Sequence, residues 1–206
     1  VIPVPAEPVR YDGRTALVVV DVQNDFADPA GSLAVPGGEA VVATVNAEVA
    51  AARAAGALVV YTQDWHPPDT PHFAKDGGIW PVHCVAGSWG AAFHPALAVD
   101  GPVVHKGTGG EDGYSAFTMR DPRSGATRST GMTELLRDNG IERVVIVGLA
   151  TDYCVLASGL DSVAAGYATA VLRSAVAAVD LSPGDGERAL DRLVAAGVAV
   201  VRSGSV

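Results

Sequence analysis

The chain alternates short, uninterrupted apolar runs with longer Ala-rich stretches, and this rhythm restricts the folds open to it. Residues 15–20 read Thr-Ala-Leu-Val-Val-Val. A strand wetted on one face would alternate polar with apolar residues. One that is apolar throughout must be covered on both faces. Similar runs lie at 58–61, 103–105, 144–147, 170–172 and 198–201. Between them fall helical stretches at 38–55, 130–139, 151–165 and 185–196, the last three followed by Gly140, Gly166 and Gly197 as helix stops. The pattern predicts an α/β fold: three αβα layers around a central, mostly parallel, Rossmann-like sheet.

With 206 residues, 49% apolar and 18% charged, the chain is long enough for one well-filled core, so a single domain over 1–206 is expected. Residues 1–12 read as an extended lead-in, with three prolines in the first eight and no basic region of a signal peptide. A net charge of -9 argues against nucleic acid or an anionic membrane as partner. Two cysteines make no disulfide framework, so a reduced, cytoplasmic protein is the default expectation. No stretch qualifies as a membrane span.

In open α/β sheets, ligands bind beyond the carboxyl ends of the strands. Asp21 follows the first run, Lys106 the third, and Cys154 the fourth, in the opening turn of the next helix. A helix N-terminus and a nearby ammonium would both favour a thiolate. Asp21 could take the thiol proton and later return it to a leaving amine. Position alone leaves a second reading open, in which Cys154 is a small buried hydrophobe and Asp21 and Lys106 form a structural ion pair.

A second cluster lies in the irregular stretch 63–98. Asp64 and His66 are two apart and project to one side of an extended chain. His72 and His83 can return from the loop, and one carboxylate with imidazoles suits Zn²⁺, Fe²⁺ or Mn²⁺. The alternative is three surface histidines. His94 and His105 read as structural, and Cys84 as packing. Phe26, Trp80 and Tyr114 stand in loops near these groups, either walling a pocket for a flat ring or packing the loops down.

Taken in order, five segments resemble nicotinamidases of the isochorismatase-like cysteine hydrolase superfamily. They are Asp21-Val-Gln-Asn-Asp-Phe26 with Gly31-Ser-Leu33, Asp64-Trp-His-Pro67 with His72-Phe73, Trp80-Pro-Val-His-Cys-Val85, His105-Lys-Gly107 with Gly113-Tyr-Ser-Ala-Phe117, and Gly148-Leu-Ala-Thr-Asp-Tyr-Cys-Val155. The resemblance implies hydrolysis of nicotinamide, and of pyrazinamide, to the acid and ammonia. Cys154 would be the nucleophile, Asp21 the base and acid, and Lys106 their partner. A cis Leu149–Ala150 peptide would let the Ala150 and Cys154 N–H groups form an oxyanion hole. Asp64, His66 and His83, with His72 in some members, would hold one divalent metal ion that orients the ring nitrogen. Phe26, Trp80, Tyr114, Leu149 and Tyr153 would surround the small-molecule substrate. Many such proteins self-associate, so a homo-oligomer is compatible.

The chain departs from the pattern at Gly113, at the Arg-rich stretch 120–128, and at Ser158-Gly159, where a glycine should weaken a helix by about 1 kcal/mol relative to Ala. Competing readings are a sister cysteine amidase or isochorismatase-like hydrolase with another substrate, a non-catalytic metal or ligand binder, and a redox protein using Cys84 and Cys154. The Asp–His set argues against the first, and the complete Asp21–Lys106–Cys154 triad against the second.

Overall fold

The structure, a computed structural model, describes residues 9–201; residues 1–8 of the expected lead-in lie outside them. Six strands form one sheet: β1 (Thr15–Val20), β2 (Leu58–Asp64), β3 (Val103–Lys106), then β6 (Arg143–Leu149), β7 (Ala168–Ala177) and β8 (Ala199–Val201). Their order is β3-β2-β1-β6-β7-β8, and every neighbouring pair is parallel. Order reverses between β1 and β6, which opens a crevice at their carboxyl ends.

Helices cover both faces, as the apolar runs require. Val41, Val42, Val45, Val49 and Ala52 of α2 (Gly38–Ala54) pack with Leu17 and Val19 on one face. On the other, Ala16, Val18 and Val20 meet α3 (Met132–Asp138), α4 (Leu156–Ala164) and α5 (Asp185–Ala195) through Met132, Leu136, Leu156, Leu190 and Leu193. At 25 cal/mol per Å², each such fully buried Val or Leu contributes roughly 1.5–3 kcal/mol. What remains of the lead-in is anchored, with Val9 and Tyr11 against the α2 layer and the Tyr11 hydroxyl donating to Glu48 at 2.8 Å.

Three elements depart from expectation. The first is α1 (Asn24–Ala27), a single turn within the opening motif. The second is an antiparallel pair, β4 (Thr118–Arg120) with β5 (Thr127–Ser129), inside the stretch read as irregular. The third is a five-residue wide turn, Thr151–Val155, which precedes α4 where a continuous helix was expected. Gly159 also has a reason. A Cβ there would stand 2.5 Å from Leu193 Cδ2, so α5 packs across the bare glycine of α4. Close packing thus offsets the lost helix propensity. Among the described residues, no helix is long and apolar enough to cross a membrane.

Candidate active site

Four adjacent strands each deliver one group to the crevice: Lys106 from β3, Asp64 from β2, Asp21 just after β1, and Cys154 beyond β6. Asp64 and Lys106 are register partners, so their side chains leave the same face of the sheet. Lys106 is fully buried. Its ammonium donates to Asp21 Oδ2 at 2.6 Å, to the Gly113 carbonyl, and to Tyr114 O at 3.3 Å. It also lies 3.0 Å from Asp64 Oδ1, without the alignment of a hydrogen bond. Thr62 Oγ1 donates to the other oxygen of Asp21 at 2.6 Å. Gly113, a departure from the expected motif, is required here because a Cβ would approach Asp64 Oδ1 to 2.9 Å.

The charges sort themselves by partner. Burial would strip Lys106 of its proton, but Asp21 and Asp64 hold its pKa well above the usual value. Burial alone would raise Asp64; the Lys106 ammonium, with His66 and His83 behind it, keeps it far below the usual range. Asp21 goes the other way. Burial, with the Asp64 charge adding, lifts it to about 6 against the pull of Lys106. One carboxylate is thus fixed as an anion and its neighbour is poised near neutrality.

Cys154 is buried with its sulfur close to Asp21 and Asp64: one ligand atom from each of the three lies within 4.8 Å of the others. Its backbone setting differs from expectation. Ala150 O accepts the N–H groups of Tyr153 at 3.1 Å and Val155 at 3.0 Å, the two residues flanking Cys154. The turn is therefore wider than an α-helical one. The Leu149–Ala150 peptide is cis. Gly148 has φ 107°, and a Cβ there would meet Val20 O at 2.1 Å, so only glycine lets β6 end this close to β1. The thiolate expected from a helix terminus does not materialise. Burial pushes the Cys154 thiol well up, Lys106 offsets only part of this, and Asp21 and Asp64 add to it, so the resting sulfur keeps its proton.

His66, His72 and His83 each offer a ring nitrogen within 4.8 Å of the others. His66 Nε2 stands 3.7 Å and His83 Nε2 3.9 Å from Asp64 Oδ2. The Nδ1 of His83 donates to Pro81 O at 2.8 Å, leaving Nε2 free, and burial lowers its pKa to about 4, which keeps the ring neutral. His66 is completely buried, and neither of its nitrogens has a hydrogen-bond partner. Each such orphan costs about 1–3 kcal/mol. Unpaired buried nitrogens facing a carboxylate and two more imidazoles fit a divalent metal ion.

A cavity of about 360 Å³, counting its open mouth, joins the two groups. Phe26, Trp80, Tyr114 and Tyr153 line it together with Asp64, His72, His83, Ala150 and Cys154. Trp80 Nε1 donates to the Tyr114 hydroxyl at 2.8 Å and the Trp80 ring meets Tyr153 edge-on at 4.8 Å, so the walls brace one another. Leu149 does not line the cavity; its side chain is buried in the α2-side core. Leu33 and Val179 do line it and were not anticipated. Val179 lies just after β7, a strand end like the others, and strand-end position was the signal available. Cys84 sits in the α2-side core, in a different layer from Cys154, and both thiols are free, so a redox pair has no support here. Ser158 of α4 accepts the Ala116 N–H at 2.9 Å, and Asp161 accepts the Ser115 and Thr118 hydroxyls, both at 2.6 Å. Helix α4 thereby holds the loop whose carbonyls grip Lys106.

Residues 15–205 match the isochorismatase domain family. The chain belongs to that family. The Escherichia coli nicotinamidase is 36% identical over 88% of this chain and 92% of its own length. The crystal structure of the Pyrococcus horikoshii pyrazinamidase in complex with zinc superposes with a TM-score of 0.80, at 38% identity over 92% of this chain and 99% of that one. The L. infantum protein PnC1 in complex with nicotinate gives a TM-score of 0.86, at 36% identity over 96% and 97%.

Proposed function

We propose that this isochorismatase-family chain is a nicotinamidase, cleaving nicotinamide to nicotinate and ammonia through a thioester on Cys154. The observation that carries the reading is the shared cavity: the Cys154 thiol and the Asp64–imidazole cluster line the same aromatic-walled space. A cysteine site alone would fit many amides. A metal cluster beside it selects a flat ring that carries its own ligand atom. The names of the E. coli, P. horikoshii and L. infantum proteins support the same substrate class.

Each step falls to a residue already placed. Asp21 takes the thiol proton as sulfur attacks the amide carbon. The Ala150 and Cys154 N–H groups receive the oxyanion. As the C–N bond breaks, Asp21 returns the proton to nitrogen and ammonia leaves. Asp21 then takes a proton from water, the hydroxide attacks the thioester, and the thiol leaves with that proton. Lys106 holds Asp21 in place throughout and keeps it acidic enough to give the proton up. Asp64, His66 and His83, with His72, would hold Zn²⁺, Fe²⁺ or Mn²⁺, which when bound supplies a Lewis acid for the ring nitrogen.

An ammonia-release assay on a small panel tests this. Nicotinamide and pyrazinamide should both be cleaved. Benzamide has the same shape without the ring nitrogen, and its kcat/KM should be at least about 100-fold lower. Equal rates on benzamide would remove the ring-nitrogen role. The base has its own signature. Asp21 works only when ionised and its pKa sits at about 6, so kcat/KM should be level above that pH and fall about tenfold per unit below it. A profile measured with saturating metal that stays flat down to pH 5 would exclude Asp21 as the base.

A further inference from the structure

We propose that Asp112 is a positioning residue for the metal site, holding His72 in the tautomer that makes it a ligand through Nε2. The proposal rests on reading Asp64, His66, His72 and His83 as metal ligands. The motif resemblance assigns Asp64, His66 and His83 and leaves His72 open. The structure supplies the missing partner. Asp112 Oδ1 lies 2.7 Å from His72 Nδ1, and the ring is almost completely buried. A carboxylate accepts, so Nδ1 is the donor and Nε2 is the nitrogen left to offer a lone pair to a metal. The ring lies 4.6 Å from that of His66 and nearly parallel to it, which places it among the other imidazoles.

His83 is held in a comparable way, but by the neutral carbonyl of Pro81. A charged acceptor makes the opposite ring nitrogen a better donor to a metal than a neutral one does. Asp112 is itself fixed. Its N–H donates to Arg120 O at 2.7 Å and its carbonyl accepts the Arg120 N–H at 3.2 Å, so β4 holds it in place. The adjacent residue, Gly113, gives its carbonyl to Lys106. One loop therefore serves the imidazole cluster and the Lys106–Asp21 pair in consecutive residues.

The test is a partition of zinc between the zinc-loaded protein and a chromogenic chelator. Asp112→Ala should weaken zinc binding about 10- to 100-fold. His72→Ala should do at least as much, and adding Asp112→Ala to His72→Ala should change affinity by no more than about twofold, because Asp112 acts only through that ring. Asp112→Asn keeps the shape without the charge; it should fall between wild type and Asp112→Ala, and supplies the comparison if the alanine variant does not fold. Wild-type affinity in Asp112→Ala, or an undiminished loss in the His72→Ala background, overturns the proposal. A wild-type protein that holds no zinc sensitive to His66→Ala overturns the metal reading itself, and the role of Asp112 with it.

Discussion

Cys154→Ala is expected to lower ammonia release from nicotinamide by at least about 10⁴-fold, the scale seen when a covalent nucleophile is removed, with the fold intact. The substitution deletes one sulfur atom at the cavity wall and fills nothing in its place. It also removes a desolvated polar group whose proton faced Asp21, so thermal stability should change little. The size of the loss discriminates between two chemistries. If a metal-activated water attacked the amide directly, Cys154 would be dispensable and replacing His66 would account for nearly all of the activity. If sulfur is the nucleophile, the order reverses: Cys154→Ala is silent at any substrate concentration, while a variant of the metal cluster loses mainly substrate binding. Steady-state kcat and KM on both variants separate the cases. Substantial turnover by Cys154→Ala would end the thioester mechanism. Cys154→Ser sharpens the point. Its hydroxyl keeps the geometry but holds its proton far more tightly than a thiol, so it should also be nearly inactive.

What the sequence discloses follows from what each residue must satisfy locally. The apolar run at β1 could only be a doubly covered strand, and all six of its residues are buried. Alternation placed His105 and Lys106 on opposite faces; Lys106 is buried, while His105 is exposed and stacks on Trp65 at 4.5 Å. The same alternation turned Asp64 and His66 inward on either side of Trp65. Register was not legible. Nothing in either strand dictates that Asp64 should pair with Lys106, and that pairing is what brings the ammonium against two carboxylates. The β4–β5 pair was also missed, because Thr127, Arg128 and Ser129 are all exposed and carry no apolar period. The wide turn at Cys154 was hidden for another reason. It depends on which N–H groups the Ala150 carbonyl accepts, and the local sequence reads equally well as an ordinary helix. Asp112 gave no signal at all, since an acid in a Gly-rich loop is unremarkable until His72 is found against it.

Lys106→Met should have the second-largest effect, and it should appear in stability as well as in rate. The Met side chain is close in length, so packing is preserved while the charge is lost. Asp21 and Asp64, which flank the Lys106 ammonium at 2.6 and 3.0 Å and bring carboxylate oxygens within 4.8 Å of each other, then face each other's charge in a buried site without that cation. Removing one partner of a buried ion pair costs about 3–5 kcal/mol, because the remaining charge keeps its desolvation penalty and loses its compensation. Urea unfolding at neutral pH should show a loss of that size. The two carboxylates cannot both stay ionised at such a distance, so one must take a proton. Without Lys106, Asp64 still has His66 and His83 beside it while Asp21 has lost its one cation, so the proton goes to Asp21. The base is then occupied at neutral pH, and kcat/KM should fall by about 10³-fold or more, the upper part of what general-base catalysis and positioning contribute. The sign of the pH effect follows. Lys106 lowers the pKa of Asp21, so its removal moves the acidic limb of kcat/KM upward from about 6, and residual activity should recover as pH rises. A limb unmoved in Lys106→Met would mean that the ammonium does not set the basicity of Asp21. Adding Asp21→Asn to Lys106→Met supplies the cross-check. It replaces the carboxyl that must take up a proton on folding with a neutral amide, so it should restore part of the lost stability while leaving activity no better, an outcome that forced protonation of Asp21 produces and a simple packing defect does not.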